Sequence, residues 1–221
     1  MDDSISEDGK ALDATAPAKR GRGRPKSLSD DERRQMIIDT ARRTFIELGL
    51  TGTTTDIVAS RCRISKQTLY RLFPSKVDLF IAVVASHRQM MLRLPLPDDE
   101  DLPIAEAIGR IFMIDIDEDT ERERAAFIHI VIRQSHQVPD LAEVMLREGL
   151  ETSRRQLADW LAAQVTAGKL VLDEPMTGAR ILMDMLFGGV GPGPRGWPDL
   201  AARKVHMQRA IDIFVRGTRP D

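Results

Sequence analysis

Between Thr53 and Lys76 the chain reads TTTDIVASRCRISKQTLYRLFPSK, and its chemistry is concentrated here. The threonines can open a short helix carrying Ile57, Val58 and Arg61. Ser65 can cap a second helix carrying Leu69, Leu72 and Phe73, which Pro74 ends. Ile57 or Val58, Ile64, Leu69 and Phe73 can pin the two at a steep angle across a tight turn at Cys62-Arg63-Ile64. That leaves the first turn of the second helix, Ser65, Lys66, Gln67 and Thr68, projecting outward. Lys and Gln can hydrogen-bond base edges in the major groove of DNA, and a Thr methyl can touch thymine. Tyr70 lies one turn on and Lys76 near the next helix start, both placed for phosphates, as are Thr53 and Thr54 at a helix N-terminus.

A second basic element precedes it. Lys19 to Lys26 reads KRGRGRPK, a Gly-Arg-Pro core flanked by basic residues that resembles an AT-hook. Such a segment slides extended into the narrow minor groove of A·T-rich DNA, with Arg22, Arg24 and Lys26 drawn to its negative potential. The alternative is a polybasic tail that gains affinity by counterion release alone. Charge along the chain agrees with either. Residues 19–76 carry fourteen Lys and Arg against six Asp and Glu, whereas 1–16 and 77–221 are both net acidic.

The first of these segments resembles the tetracycline-repressor-like (TetR) regulators over roughly residues 29–85. The resemblance rests on the Phe45…Gly49 end of the first helix, the threonines four residues later, the ISKQTLYRLF segment and the Ser75-Lys76 start of the fourth helix. It implies a three-helix DNA-binding domain joined by a linking helix to a larger helical domain. That second domain would dimerise through its last two long helices and often hold a small effector. Two departures stand out. The family usually has Ala-Gly where this chain has Cys62-Arg63, which places a side chain at a left-handed turn position, and it usually has Gly where this chain has Gln67.

The elements that must position these residues are helical. The first begins at Ser29-Asp30-Asp31-Glu32, a capping box, carries Met36, Ile37, Ala41, Phe45 and Leu48 at helical spacing, and ends at Gly49. The helix after Ser75 runs through Val77, Phe80, Val83 and Val84. Beyond it the chain reads helical almost throughout, with breaks at 95–101, near 119, near 138, at 168–174 and at 188–198. No strand alternation occurs and aromatic residues are only 5%. The expected fold is all-α: a disordered arm over 1–28, a helix-turn-helix domain over 29–75 and a helical-bundle domain over 76–221 that dimerises and binds an effector.

Two C-terminal helices, over 174–187 and 199–215, carry apolar stripes from which Ile181, Met185, Met207, Ile211 and Phe214 are expected to form a four-helix homodimer interface. Phe112, Phe127, Ile130, Met145, Trp160 and Met183 are candidates to line a pocket for a small apolar effector, with His129 able to orient it; plain core packing is the competing reading.

Other chemistries find little support. Gly191 to Gly196 fits GxGxxG but follows a helix and contains two prolines. Asp115, Asp117 and Asp119 begin like a calcium loop, yet Thr120 and Ala126 stand where Gly and Glu are required. The four histidines are scattered, and no catalytic set or zinc spacing is present, so neither enzyme activity, metal nor cofactor is expected. One cysteine, Cys62, with no apolar run of about 18 residues, suits a reducing cytoplasm and no membrane. The expected function is a sequence-specific transcriptional repressor released by an effector, nucleoid-associated when bound to operator DNA. The alternative is an architectural A·T-rich DNA-binding protein led by the arm.

Overall fold

Helix α1, Asp30–Gly52, begins at a reciprocal cap. The Ser29 hydroxyl accepts from the Glu32 backbone N–H at 3.1 Å, while the Glu32 carboxylate accepts from the Ser29 N–H at 2.8 Å. These bonds hold the Glu32 carboxyl below the usual carboxylate range. Regular helix stops at Gly49, whose φ of +78° lies in the left-handed region. A side chain there would be strained by that conformation, and its Cβ would fall 2.6 Å from the Gln134 amide, which would have to shift. The computed structural model describes residues 29–96, 102–188 and 199–220. The arm with Arg22, Arg24 and Lys26, and the loop from Gly191 to Gly196, lie outside them.

Hydroxyl caps also set the next three helices. Thr54 opens α2 (Thr55–Arg61), Ser65 opens α3 (Lys66–Leu72) and Ser75 opens α4 (Lys76–Met91). There follow α5 (Ile104–Ile111), α6 (Glu118–Gln134), α7 (Pro139–Val144), a π-helical turn over Met145–Glu151, α8 (Thr152–Thr166), α9 (Pro175–Phe187) and α10 (Leu200–Gly217). Among the described residues there is no strand. The break expected near residue 119 falls at 112–117 instead. Asp117 caps α6 by accepting from the Thr120 N–H at 2.9 Å, which draws Asp119 into the helix.

Two apolar cores result. In the first, Phe45 of α1, Phe80 of α4 and Phe127 of α6 meet with ring centroids 5.3 and 6.0 Å apart, above Val58 and Leu69 of the two short helices. Helices α6 and α7, remote in sequence, thus complete the core beneath α1–α4. The second core joins Leu92, Ile108, Phe112, Leu161, Leu182 and Phe214. Helix α4 is the common member: its first half lies in one core, and Leu92, at its end, lies in the other.

The second core corrects part of the expected dimer face. Met207, Ile211 and Phe214 are buried within their own chain, because α5 and α8 pack on the α9–α10 pair and take up that stripe. Met185 is half-buried and Ile181 is exposed. The outward surface of the pair presents Ile181, Val205 and Ile213. Among the described residues no helix is long and apolar enough to cross a membrane.

Candidate nucleic-acid interface and effector cavity

Helix α3 is held from both ends. The Ser65 hydroxyl accepts from the Thr68 N–H at 3.1 Å and sits 2.8 Å from the Thr68 hydroxyl. At the far end, Arg34 of α1 donates to the Leu72 carbonyl at 3.0 Å and lies over the Phe73 ring at 4.4 Å. Arg71 grips Asp30 with two bonds of 2.8 Å. The body of the helix is anchored by fully buried Leu69. Its outer face is thereby fixed before any ligand arrives, which lowers the ordering cost of binding.

That face carries Ser65, Lys66 and Gln67, all exposed, with Thr68 half-exposed beside them. Lys66 lies 2.6 Å from the Asp56 carboxylate, and this partner keeps the ammonium above its ordinary pKa. Tyr70 shares a hydrogen bond of 2.9 Å with Thr55, which steers its hydroxyl toward the N-terminus of α2. Thr54 is exposed at that same N-terminus, accepting from the Ile57 N–H at 3.2 Å. Ser65, Lys66, Gln67, Thr68, Tyr70 and Thr54 therefore share one end of the molecule.

Two further candidates face inward. Thr53 is buried, its hydroxyl bonding to the Gly49 carbonyl at 2.7 Å and the Thr44 carbonyl at 3.2 Å. Lys76 is half-buried and donates to the Leu50 carbonyl at 2.5 Å, and burial lowers its pKa. The cause is common to both. The irregular end of α1 leaves carbonyls that need donors, and these side chains supply them. Gln134 of α6 serves the same region, accepting from the Leu50 N–H at 2.6 Å. The end of α1 is thus tied to both α4 and α6.

At the turn between α2 and α3, Cys62 is buried and burial pushes its thiol pKa up, as befits a packing residue. Arg63 follows with φ of +55°. A non-glycine residue in this region costs about 1 kcal/mol. Arg63→Gly is therefore expected to raise the melting temperature by a few degrees, read by circular dichroism. A fall in stability would show that the Arg63 side chain holds the turn.

The second candidate region is a cavity of about 180 Å³ between α4, α6, the π-helical turn, α8 and α9. Of the expected lining residues, Met145 and Met183 reach it. Phe127 and Ile130 belong to the first core, Phe112 is buried against Phe187 in the second, and Trp160 packs on that second core. His129 is half-buried and does not line the cavity. The principal polar residues of the wall were absent from the expectation: His87 and Arg88 of α4, with Ser153 of α8. The available signal was His87 itself, a titratable residue continuing the apolar stripe of Phe80, Val83 and Val84.

His87 lies against Phe127 with ring centroids 4.7 Å apart and the rings tilted by 50°. Burial, then the charges of Arg42 and Arg124, lower its pKa to about 3, so it is neutral at physiological pH. Arg42 is itself paired with Glu123 at 2.5 Å, and Arg124 with Glu121 at 3.5 Å. Glu121 also meets Arg203 of α10 at 3.2 Å, joining α6 to the C-terminal helix.

The unfolded chain protonates this histidine below pH 6.5 and the folded chain resists until about pH 3. Stability is therefore lost as pH falls through that window, by about 2 kcal/mol between pH 7 and 5. Urea denaturation of the wild type and His87→Leu at both pH values is expected to show a smaller acid loss in the variant. Equal losses would exclude His87 as a source of acid sensitivity.

Comparison with known proteins follows this division of the chain. Residues 37–83 match the profile of bacterial regulatory proteins of the tetR family, and residues 116–217 match the C-terminal domain of AefR-like transcriptional repressors. The HTH-type transcriptional activator FasR of Mycolicibacterium smegmatis is 36% identical over 67 residues, which are 30% of this chain and 31% of that protein. The chain thus spans under a third of the length of that relative. A solved TetR-family regulator from Mesorhizobium loti superposes with a TM-score of 0.63 at 20% identity, over 87% of this chain and all of that one. The flavonoid-responsive regulator FrrA gives a TM-score of 0.57 at 25% identity, over 86% and 98% of the two chains.

Proposed function

We propose that the chain, whose residues 37–83 and 116–217 match profiles of tetR-family regulatory proteins and AefR-like repressors, is a tetR-like homodimeric repressor of transcription, released from its operator by a small molecule. The observation that carries this reading is the course of α4. The helix starts at Ser75, directly after the outward-facing α3, and its later turns supply Val84, His87, Arg88 and Met91 to the cavity wall. A ligand that favours a different position of α4 changes the separation of the two α3 helices in the dimer. That separation must match successive major grooves, about 34–36 Å apart, so ligand binding weakens DNA binding by population shift. FrrA is described as flavonoid-responsive, which supports a small-molecule effector here, one smaller than a flavonoid given a cavity of about 180 Å³.

The dimer uses the outer face of α9 and α10, with Ile181, Met185, Val205 and Ile213 meeting their symmetry mates. Ile213, 64% exposed in the single chain, is the most open of these. Ile213→Asp is expected to convert the dimer to monomer in sedimentation at micromolar concentration while leaving the helical content intact. A variant that stays dimeric places the interface elsewhere.

The test of the whole reading is selection of genomic fragments near a physiological salt concentration, about 150 mM, followed by sequencing. Full-length protein and a version lacking residues 1–26 are compared. A shared inverted repeat in both supports an operator-reading dimer. A·T-rich fragments without a repeat, lost on removing the arm, support an architectural protein led by Arg22, Arg24 and Lys26 instead.

A further inference from the structure

The cavity concentrates its polar groups on the α4 side. His87 is 1% exposed, and among the described residues neither ring nitrogen has a hydrogen-bond partner. A neutral imidazole nevertheless offers one donor and one acceptor, and buried polar groups are rarely left unmet. Arg88 is its neighbour on the wall. One guanidinium nitrogen donates to the Glu148 carbonyl at 2.6 Å, and no carboxylate pairs with Arg88 among the described residues. Four of its five N–H donors remain for a ligand. Ser153 adds a buried hydroxyl, whereas Val84, Met91, Met145 and Phe187 are apolar.

The electrostatics select the ligand's polar group. Among the described residues no Asp or Glu lines the cavity. Arg42 on α1 and Arg124 on α6 lie near His87, each paired outward with a glutamate. Arg88 is the positive charge without such a partner, so a cationic ligand would meet it at close range. A purely apolar ligand would leave both His87 and Arg88 unanswered. An oxygen that carries or readily takes negative charge satisfies both, accepting from the guanidinium and from the imidazole N–H.

Resting on the reading of this cavity as the effector site, we propose that it takes a small, mainly apolar molecule bearing one acidic oxygen group, a carboxylic acid or a phenol, held by Arg88 and His87. The size agrees: roughly 150 Å³ of apolar cavity accommodates a benzene ring, and this one has space for a ring with a short chain. The same head group reaches the link to DNA. Arg88 ties α4 to the π-helical turn through the Glu148 carbonyl, so an acidic oxygen on its remaining donors bears directly on that tie.

Three probes of one carbon skeleton test this: 3-phenylpropanoate, 3-phenylpropanol and 3-phenylpropylammonium, titrated calorimetrically into the full-length protein. The acid is expected to bind about tenfold more tightly than the alcohol, the size of a charge-assisted hydrogen bond, and the amine to show no binding. In Arg88→Met the acid falls to the level of the alcohol. In Arg88→Lys, which serves if the methionine variant does not fold, part of the preference for the acid persists. An amine that binds as well as the acid overturns the inference, as does an unchanged acid preference in Arg88→Met or the failure of all three probes to bind. Acid binding with the expected preference but without release of the selected DNA upholds the cavity chemistry and sinks the effector reading alone.

Discussion

Replacing Lys66, Gln67 and Thr68 together by alanine is expected to abolish preference for the selected DNA while leaving weak binding to any duplex. The three sit on the first turn of α3, whose backbone is fixed by parts the substitution leaves in place: the Ser65 cap, buried Leu69, and the Arg34 and Arg71 contacts with the Leu72 carbonyl and Asp30. Alanine is the strongest helix former, and the Lys66–Asp56 pair is more than half exposed on both sides, so its loss alters folding little. The effect therefore falls on recognition. Each good base contact is worth about 1–3 kcal/mol of discrimination, and a specific site is typically about 10³–10⁷ tighter than nonspecific DNA. Affinity for the selected site is expected to drop by at least about a hundredfold and converge on that for a scrambled duplex. Fluorescence anisotropy with both duplexes measures this directly. A triple variant that still discriminates moves sequence reading away from α3.

Phe80→Ala carries the largest expected cost to stability. Phe80 is fully buried and its ring meets Phe45 of α1 edge-on and Phe127 of α6 at a tilt. Truncation removes the one aromatic ring of α4 that touches both partners at once. It also opens a void in a place where α1 is fastened at its far end by Gln134 and Lys76, so collapse is restricted. A buried Phe→Ala change costs about 3–5 kcal/mol. For a chain of this size that lowers the melting temperature by about 10 °C, out of a typical total of about 5–15 kcal/mol. Thermal denaturation by circular dichroism measures it. A loss below about 1 kcal/mol would mean that α1, α4 and α6 do not share one cooperative core.

Much of the first four helices was legible because the signals are local. A serine hydroxyl reaches only the N–H groups of the next turn, so Ser29, Ser65 and Ser75 mark helix starts without reference to anything distant. Gly49 likewise marks the end of regular α1, whereas the left-handed turn at Arg63, with φ of +55°, is carried by a residue whose type does not announce it. The exposed face of α3, Ser65 to Thr68, follows from the same local logic. Once Leu69 and Phe73 are assigned inward, helical geometry sends the residues before them outward.

What tertiary structure alone decided is which polar groups were already spoken for and which apolar stripe was already covered. Thr53 and Lys76 have the right types for phosphate contacts, yet they turn to the carbonyls of Thr44, Gly49 and Leu50, a demand created by how α1 ends. Met207, Ile211 and Phe214 form an apolar stripe that looks available for a partner chain until α5 and α8 cover it. His87 and Arg88 acquire meaning only where α4 faces the π-helical turn across a gap that packing leaves open. Hydrophobic period reports which side of a helix is buried; it carries no information on what buries it, or on where the fit is incomplete. Helix class, caps and the exposed face of α3 were thus determined by the sequence through neighbours in the chain, while the cavity and the outward apolar surface of α9 and α10 arose from contacts between residues far apart along it.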